Sequence, residues 1–110
     1  MEKNLKELWI TALVSSEYKQ GCELLHNPTT NRFCCLGVLC EVIRKKDPQL
    51  KRLTNGSYSL NKKRSINSNF DDAMLRRTGL SHDDTTALIH LNDETDKSFE
   101  DIAYYIERNL

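Results

Sequence analysis

One stretch of this chain leaves little freedom in how the rest can fold. From Leu36 to Arg44, the residues Leu36, Val38, Leu39, Cys40, Val42 and Ile43 are apolar at almost every step. A helix over this stretch has hardly any face suited to water, so it belongs at the centre of the fold with neighbours on all sides. Its longest apolar part, Leu36 to Cys40, is far too short to cross a bilayer, which takes roughly twenty residues. Gly37 lowers helix propensity by about 1 kcal/mol relative to alanine, so its presence here predicts a close neighbour packed over it. Asp47-Pro48 ends the element.

The segments on either side supply the covering. Leu5, Leu8, Trp9, Ala12 and Leu13 recur at three-and-four spacing and predict an amphipathic helix over Asn4–Ser16, with Trp9 packed against Leu36, Leu39, Cys40 and Ile43. Cys22–His26 and Arg32–Cys35 read as two short strands around an Asn27-Pro28 turn. Asn55-Gly56, between Leu53 and Tyr58, predicts a tight hairpin with both central residues at positive φ. Residues 61–69 read as a polar, basic, mobile loop. Three short helices follow, opened by Ser68-x-x-Asp71, Ser81-x-x-Asp84 and Ser98-x-x-Asp101, with Gly79 stopping the first. The expected fold is mainly α (α+β): one domain over residues 1–110, with about five short helices and one or two β-hairpins.

Formal net charge is zero, but residues 1–70 carry 12 Lys/Arg against 6 Asp/Glu and residues 71–110 carry 4 against 10. The simplest expectation is that the two parts attract each other once folded. The basic groups concentrate at Arg44-Lys45-Lys46, Lys51-Arg52 and Lys62-Lys63-Arg64. Of these, Lys62, Lys63 and Arg64 are the candidate contacts for an anionic partner. The mixed-charge N-terminus carries no secretory signal pattern. The expected location is therefore cytoplasmic, with Cys22, Cys34, Cys35 and Cys40 reduced.

Three chemistries can be weighed against packing. Cys22, His26, Cys34, Cys35 and Cys40 contain enough zinc ligands for a zinc-stabilised module. Zinc sites, however, use ligand pairs two to four residues apart that converge on one ion. Adjacent Cys34 and Cys35 diverge on a strand, and the better expectation is thiols packed as small hydrophobes. A thiol-dependent enzyme is the second reading: Cys34 or Cys35 at a helix N-terminus has its thiol pKa lowered, with His26, His82 or His90 as base and Asn92 or Asp93 as orienting group. No local motif joins these residues. DNA binding through a helix-turn-helix starting at Leu91–Ala103 is rejected, because the helix that follows carries Glu100, Asp101 and Glu107, which duplex phosphates repel. No metal, cofactor or catalytic residue is expected.

Trp9, Ala12-Leu13, Tyr18-Lys19-Gln20, Phe33-Cys34-Cys35-Leu36-Gly37-Val38-Leu39-Cys40, Gly79-Leu80, Leu91-Asn92-Asp93 and Phe99-x-x-Ile102-Ala103-x-x-Ile106-Glu107 together resemble small uncharacterised proteins of tailed bacteriophages and prophages. The Phe-Cys-Cys-Leu-Gly-Val-Leu-Cys run is the specific part, and the resemblance spans most of the chain outside residues 45–70. It implies a phage or prophage origin. Small accessory proteins of that kind often act stoichiometrically, so the expected function is non-enzymatic binding that inhibits a host defence protein or sequesters its signalling nucleotide. Tyr18, Lys19, Gln20, Asn92 and Asp93, polar residues at element ends, form the candidate binding surface. Truncating Lys19, Gln20 or Asn92, read as exposed, should hardly alter stability. The partner is expected to be a host protein or a nucleotide. Neither a membrane nor nucleic acid is expected, although Lys62-Lys63-Arg64 keeps a nucleic-acid binder as an alternative. The sequence leaves a homo-oligomer open.

Overall fold

The computed structural model describes residues 1–110. In chain order it contains α1 (Lys3–Val14), β1 (Lys19–Gln20), β2 (His26–Asn27), β3 (Arg32–Phe33), α2 (Cys35–Arg44), β4 (Leu50–Arg52), β5 (Tyr58–Leu60), α3 (Asp72–Thr78), α4 (His82–Asp93) and α5 (Phe99–Asn109). This is a small α+β domain with five helices, as the sequence predicts. The apolar run forms α2, and every residue from Cys35 to Ile43 is buried. α1 and α4 pack against it, and α5 packs on α1 and α4. Trp9, Leu36, Leu39, Cys40 and Ile43 belong to a single core of 23 apolar side chains. The Trp9 indole donates to the Cys35 carbonyl at 2.9 Å, so its one polar atom is satisfied inside that core.

Gly37 has the neighbour its position called for. A Cβ there would overlap the backbone carbonyl of Leu25, whose segment lies directly across the helix. That contact helps explain why residues 22–25 do not form the strand expected of them. Leu25 donates to Asn67 and accepts from Cys34, and Glu23 adopts φ +72, so pairing starts only at His26. The β2–β3 hairpin then closes with His26 opposite Phe33 and Asn27 opposite Arg32. β1 adds to the other edge of β3 in parallel, a pairing not foreseen from the sequence.

The second hairpin, β4–β5, pairs Leu50 with Leu60 and Arg52 with Tyr58. Its turn departs from expectation in one respect: Gly56 takes φ +91, but Asn55 is not left-handed. Asn55 instead turns the chain with its side chain, which accepts from the Ser57 amide at 2.9 Å. The segment read as a mobile loop is tied down. Asn61 and Lys62 adopt φ +57 and +60 in a tight turn closed by Lys63 N–H to Leu60 C=O, and Tyr58 and Ile66 exchange backbone hydrogen bonds.

Ser81 and Ser98 form the reciprocal capping boxes expected with Asp84 and Asp101. Ser68 caps nothing; α3 is capped by Asp71, which accepts from Met74 N–H at 3.0 Å, and ends at Gly79. The expected attraction between a basic first part and an acidic second part is nearly absent as ion pairs. The one such pair that joins them, Arg77 to Asp47, has the opposite polarity. No helix is long and apolar enough to cross a membrane.

Candidate functional site

α2 is preceded at its cap position by Cys34, which takes an extended conformation but makes no side-chain cap. The first amides of a helix need acceptors, and here one comes from far along the chain. Asn92, in the last turn of α4, accepts from Cys35 N–H through Oδ1 at 3.2 Å. The same oxygen accepts from Gln20 Nε2 at 3.1 Å, while Asn92 Nδ2 donates to Gly21 O and Asp93 Oδ1, each at 2.8 Å. Gln20 also donates to the Lys97 carbonyl. One amide thus joins β1, α2 and α4.

Of the five candidate surface residues, the structure brings Gln20, Asn92 and Asp93 into this node. Asn92 is only 3% exposed, which corrects its reading as an exposed side chain. Lys19 is exposed and Asp93 half-buried. Tyr18 lies apart from the node. Its ring meets Phe33 edge-on with centroids 5.2 Å apart, and Lys45 Nζ lies 5.6 Å from its centroid. Partial burial raises the Tyr18 hydroxyl above its ordinary pKa, while Lys45, paired with Glu17 at 2.9 Å, is also raised. Tyr18 therefore stays a neutral phenol beside a cation.

The thiols at this end of α2 are not set up as nucleophiles. Burial pushes Cys34 up to about 12, outweighing backbone donors from Gly37 and Leu36 that pull the other way. Cys35 and Cys40 are raised well above the usual thiol range, again chiefly by burial. The expected lowering by the helix N-terminus operates, but desolvation is larger. No histidine hydrogen-bonds a thiol. His26 stacks on Phe33 and its Nε2 sits 2.9 Å from Asn31 Oδ1, leaving buried Nδ1 without a partner. His90 pairs with Glu94 at 2.6 Å, and His82 is exposed. Cys22 is exposed, so only three of the four thiols pack as small hydrophobes. Nowhere do three or more His, Cys, Asp or Glu side chains gather as they would around a metal ion. Lys62, Lys63 and Arg64 are exposed on the tight turn, where Lys62 shares a shallow groove with Pro48, Gln49, Lys51 and Asn61.

A family model described as a domain of unknown function (DUF8296) matches residues 1–110. The chain belongs to this family. No curated protein and no solved structure is matched.

The sequence reading of this DUF8296 domain passed over a second polar cluster, at the other end of α2. Glu41 is buried, and it accepts from the Tyr58 hydroxyl at 2.7 Å, Arg44 Nε at 2.8 Å and Arg52 Nη1 at 3.2 Å. The signal was present: Glu41 is the single acid inside an otherwise apolar run, and Arg44 and Arg52 lie in the basic segments already noted.

Proposed function

We propose that this chain is a phage or prophage accessory protein that works by stoichiometric binding. It would inhibit a host defence protein or sequester its signalling nucleotide in the cytoplasm of the infected cell. The observation that carries this reading is the state of Cys34 and Cys35. These thiols hold the conspicuous Phe-Cys-Cys-Leu-Gly motif, yet both are buried, strongly protonated and without a histidine partner. A motif of this kind supports packing, and it leaves function to the polar side chains around the domain. Lys19 is exposed, and Tyr18, Gln20 and Asp93 are half-buried. The phage-like resemblance supports the accessory role, and the mixed-sign surface suits a protein or nucleotide partner better than a membrane.

The test is affinity capture from a bacterial lysate, with mass spectrometry of both proteins and small molecules, followed by titration of the captured target's activity. The reading requires inhibition that rises in proportion to added protein and ends at a fixed stoichiometry. It also requires Lys19→Ala or Gln20→Ala to weaken capture while the fold is kept. Many turnovers of a substrate per protein molecule would end it.

A further inference from the structure

The charged end of α2 is built differently from the rest of the surface. Glu41 has a side chain only 7% exposed. A buried carboxylate is compensated by one well-placed cation. This one has two, Arg44 on Oε2 and Arg52 on Oε1, and the Tyr58 hydroxyl also donates to Oε2. Burial, with Cys40 and Glu41 nearby, drives the Tyr58 hydroxyl far above its ordinary pKa, so it remains a donor. The cluster therefore carries a formal excess of one positive charge.

The two guanidiniums come from separate elements, the last turn of α2 and the end of β4, and each is fixed through one nitrogen. Their other N–H groups make no hydrogen bond within the protein, and the side chains are 35% and 31% exposed. Guanidinium N–H groups anchored at one nitrogen, with the others open to solvent, match the oxygens of a phosphoryl group. Lys45, next in the chain after Arg44, lies over the Tyr18 ring and is already paired with Glu17.

We infer that Arg44 and Arg52, braced on Glu41, form an anion site that takes the phosphoryl group of a small phosphate-bearing ligand. This goes beyond the binding reading above and does not depend on it: a host-protein target at Lys19 and Gln20 would leave the site intact.

Calorimetric titration of the full chain at low salt, with inorganic pyrophosphate, ATP and adenosine, tests the site. Pyrophosphate and ATP should each saturate, and adenosine should not. Arg52→Gln should weaken both by about tenfold or more, the equivalent of one lost charge-assisted hydrogen bond. Neutralising Lys62, Lys63 and Arg64 together to glutamine should change neither. Equal affinities assign a bare phosphoryl ligand. Tighter ATP binding that Tyr18→Ala removes assigns a nucleotide. The wild-type chain gives a second readout that needs no variant: pyrophosphate should protect Arg44 and Arg52 from phenylglyoxal. Failure of both phosphates to saturate, binding unchanged in folded Arg52→Gln, protection confined to other arginines, or adenosine binding as tightly as ATP would each overturn the site. So would binding of a single-stranded oligonucleotide where neither small phosphate binds.

Discussion

At its N-terminal end α2 meets its neighbours through neutral groups: two thiols, an indole N–H and the amide of Asn92. At its C-terminal end it meets them through charges, with Glu41 gripped by Arg44 and Arg52 and Lys45 paired to Glu17. The helix dipole would favour an acid at the first end and bases at the second. Only the second end follows that preference, through Arg44 and Lys45, and there the one acid, Glu41, is held by two arginines. At the first, the surroundings are apolar enough to push Cys34 up to about 12, and a carboxylate cap there would suffer the same desolvation. A neutral amide meets the need without a buried charge. The difference teaches that burial decides which kind of cap a helix end can use.

The contrast breaks most completely at Gly37. Adding a methyl drives it into the Leu25 carbonyl, which is backbone and cannot swing aside. Gly37→Ala should therefore cost more than about 4 kcal/mol, at the extreme of single substitutions, or prevent folding, as read by urea denaturation. Leu39→Ala, which hollows the same helix, should cost about 2–5 kcal/mol. A loss of a few tenths would place the helix at the surface.

Asn92→Ala sharpens the comparison. It leaves Cys35 N–H unpaired in a buried site and removes the donor to the half-buried Gly21 C=O, so a loss of about 2–3 kcal/mol is expected where the sequence suggests almost none. Lys19→Ala, exposed two residues from the node's edge at Gly21, should stay within about 0.5 kcal/mol.

The dry end also sets a pH response. Cys34 is raised in the folded state from 9.0 to about 12, so the folded chain holds a proton that the unfolded chain releases. Its stabilisation is complete below pH 9 or so and falls away as the pH rises toward 12. Cys35 and Cys40 act in the same direction. Denaturation midpoints should drop on going from neutral to alkaline solution, and Cys34→Ala should flatten that slope. The smallest effect expected is a gain: Lys62→Gly removes a side chain from φ +60 and should stabilise by up to about 1 kcal/mol in thermal melts.

Much of this architecture was legible because its causes are local. α2 announces itself by being apolar on every face, and α4 and α5 by serine and aspartate three residues apart. Gly37 even predicted its own close contact. What was hidden depends on distance in the chain. Asn92 caps a helix 57 residues away, so nothing near it in sequence marks it as structural. β1 is two residues long and pairs in parallel, a contact with no alternating pattern to reveal it. Glu41 was visible as the odd charge in an apolar run, but Arg52 and Tyr58 join it only once β4 and β5 fold back over α2. The cap of α3 was misplaced because Ser68 and Asp71 satisfy the same local pattern, and only the folded chain chooses between them.

The central claim, that the cysteine-rich end of α2 is packing and not chemistry, is tested most directly by counting thiols that react with an alkylating reagent in the native protein near neutral pH. Mass spectrometry should find Cys22 labelled alone, with Cys34, Cys35 and Cys40 reacting only after the chain is unfolded. Rapid labelling of Cys34 or Cys35 in the folded protein, at the rate of an activated thiolate, would contradict the account and restore the thiol-dependent enzyme.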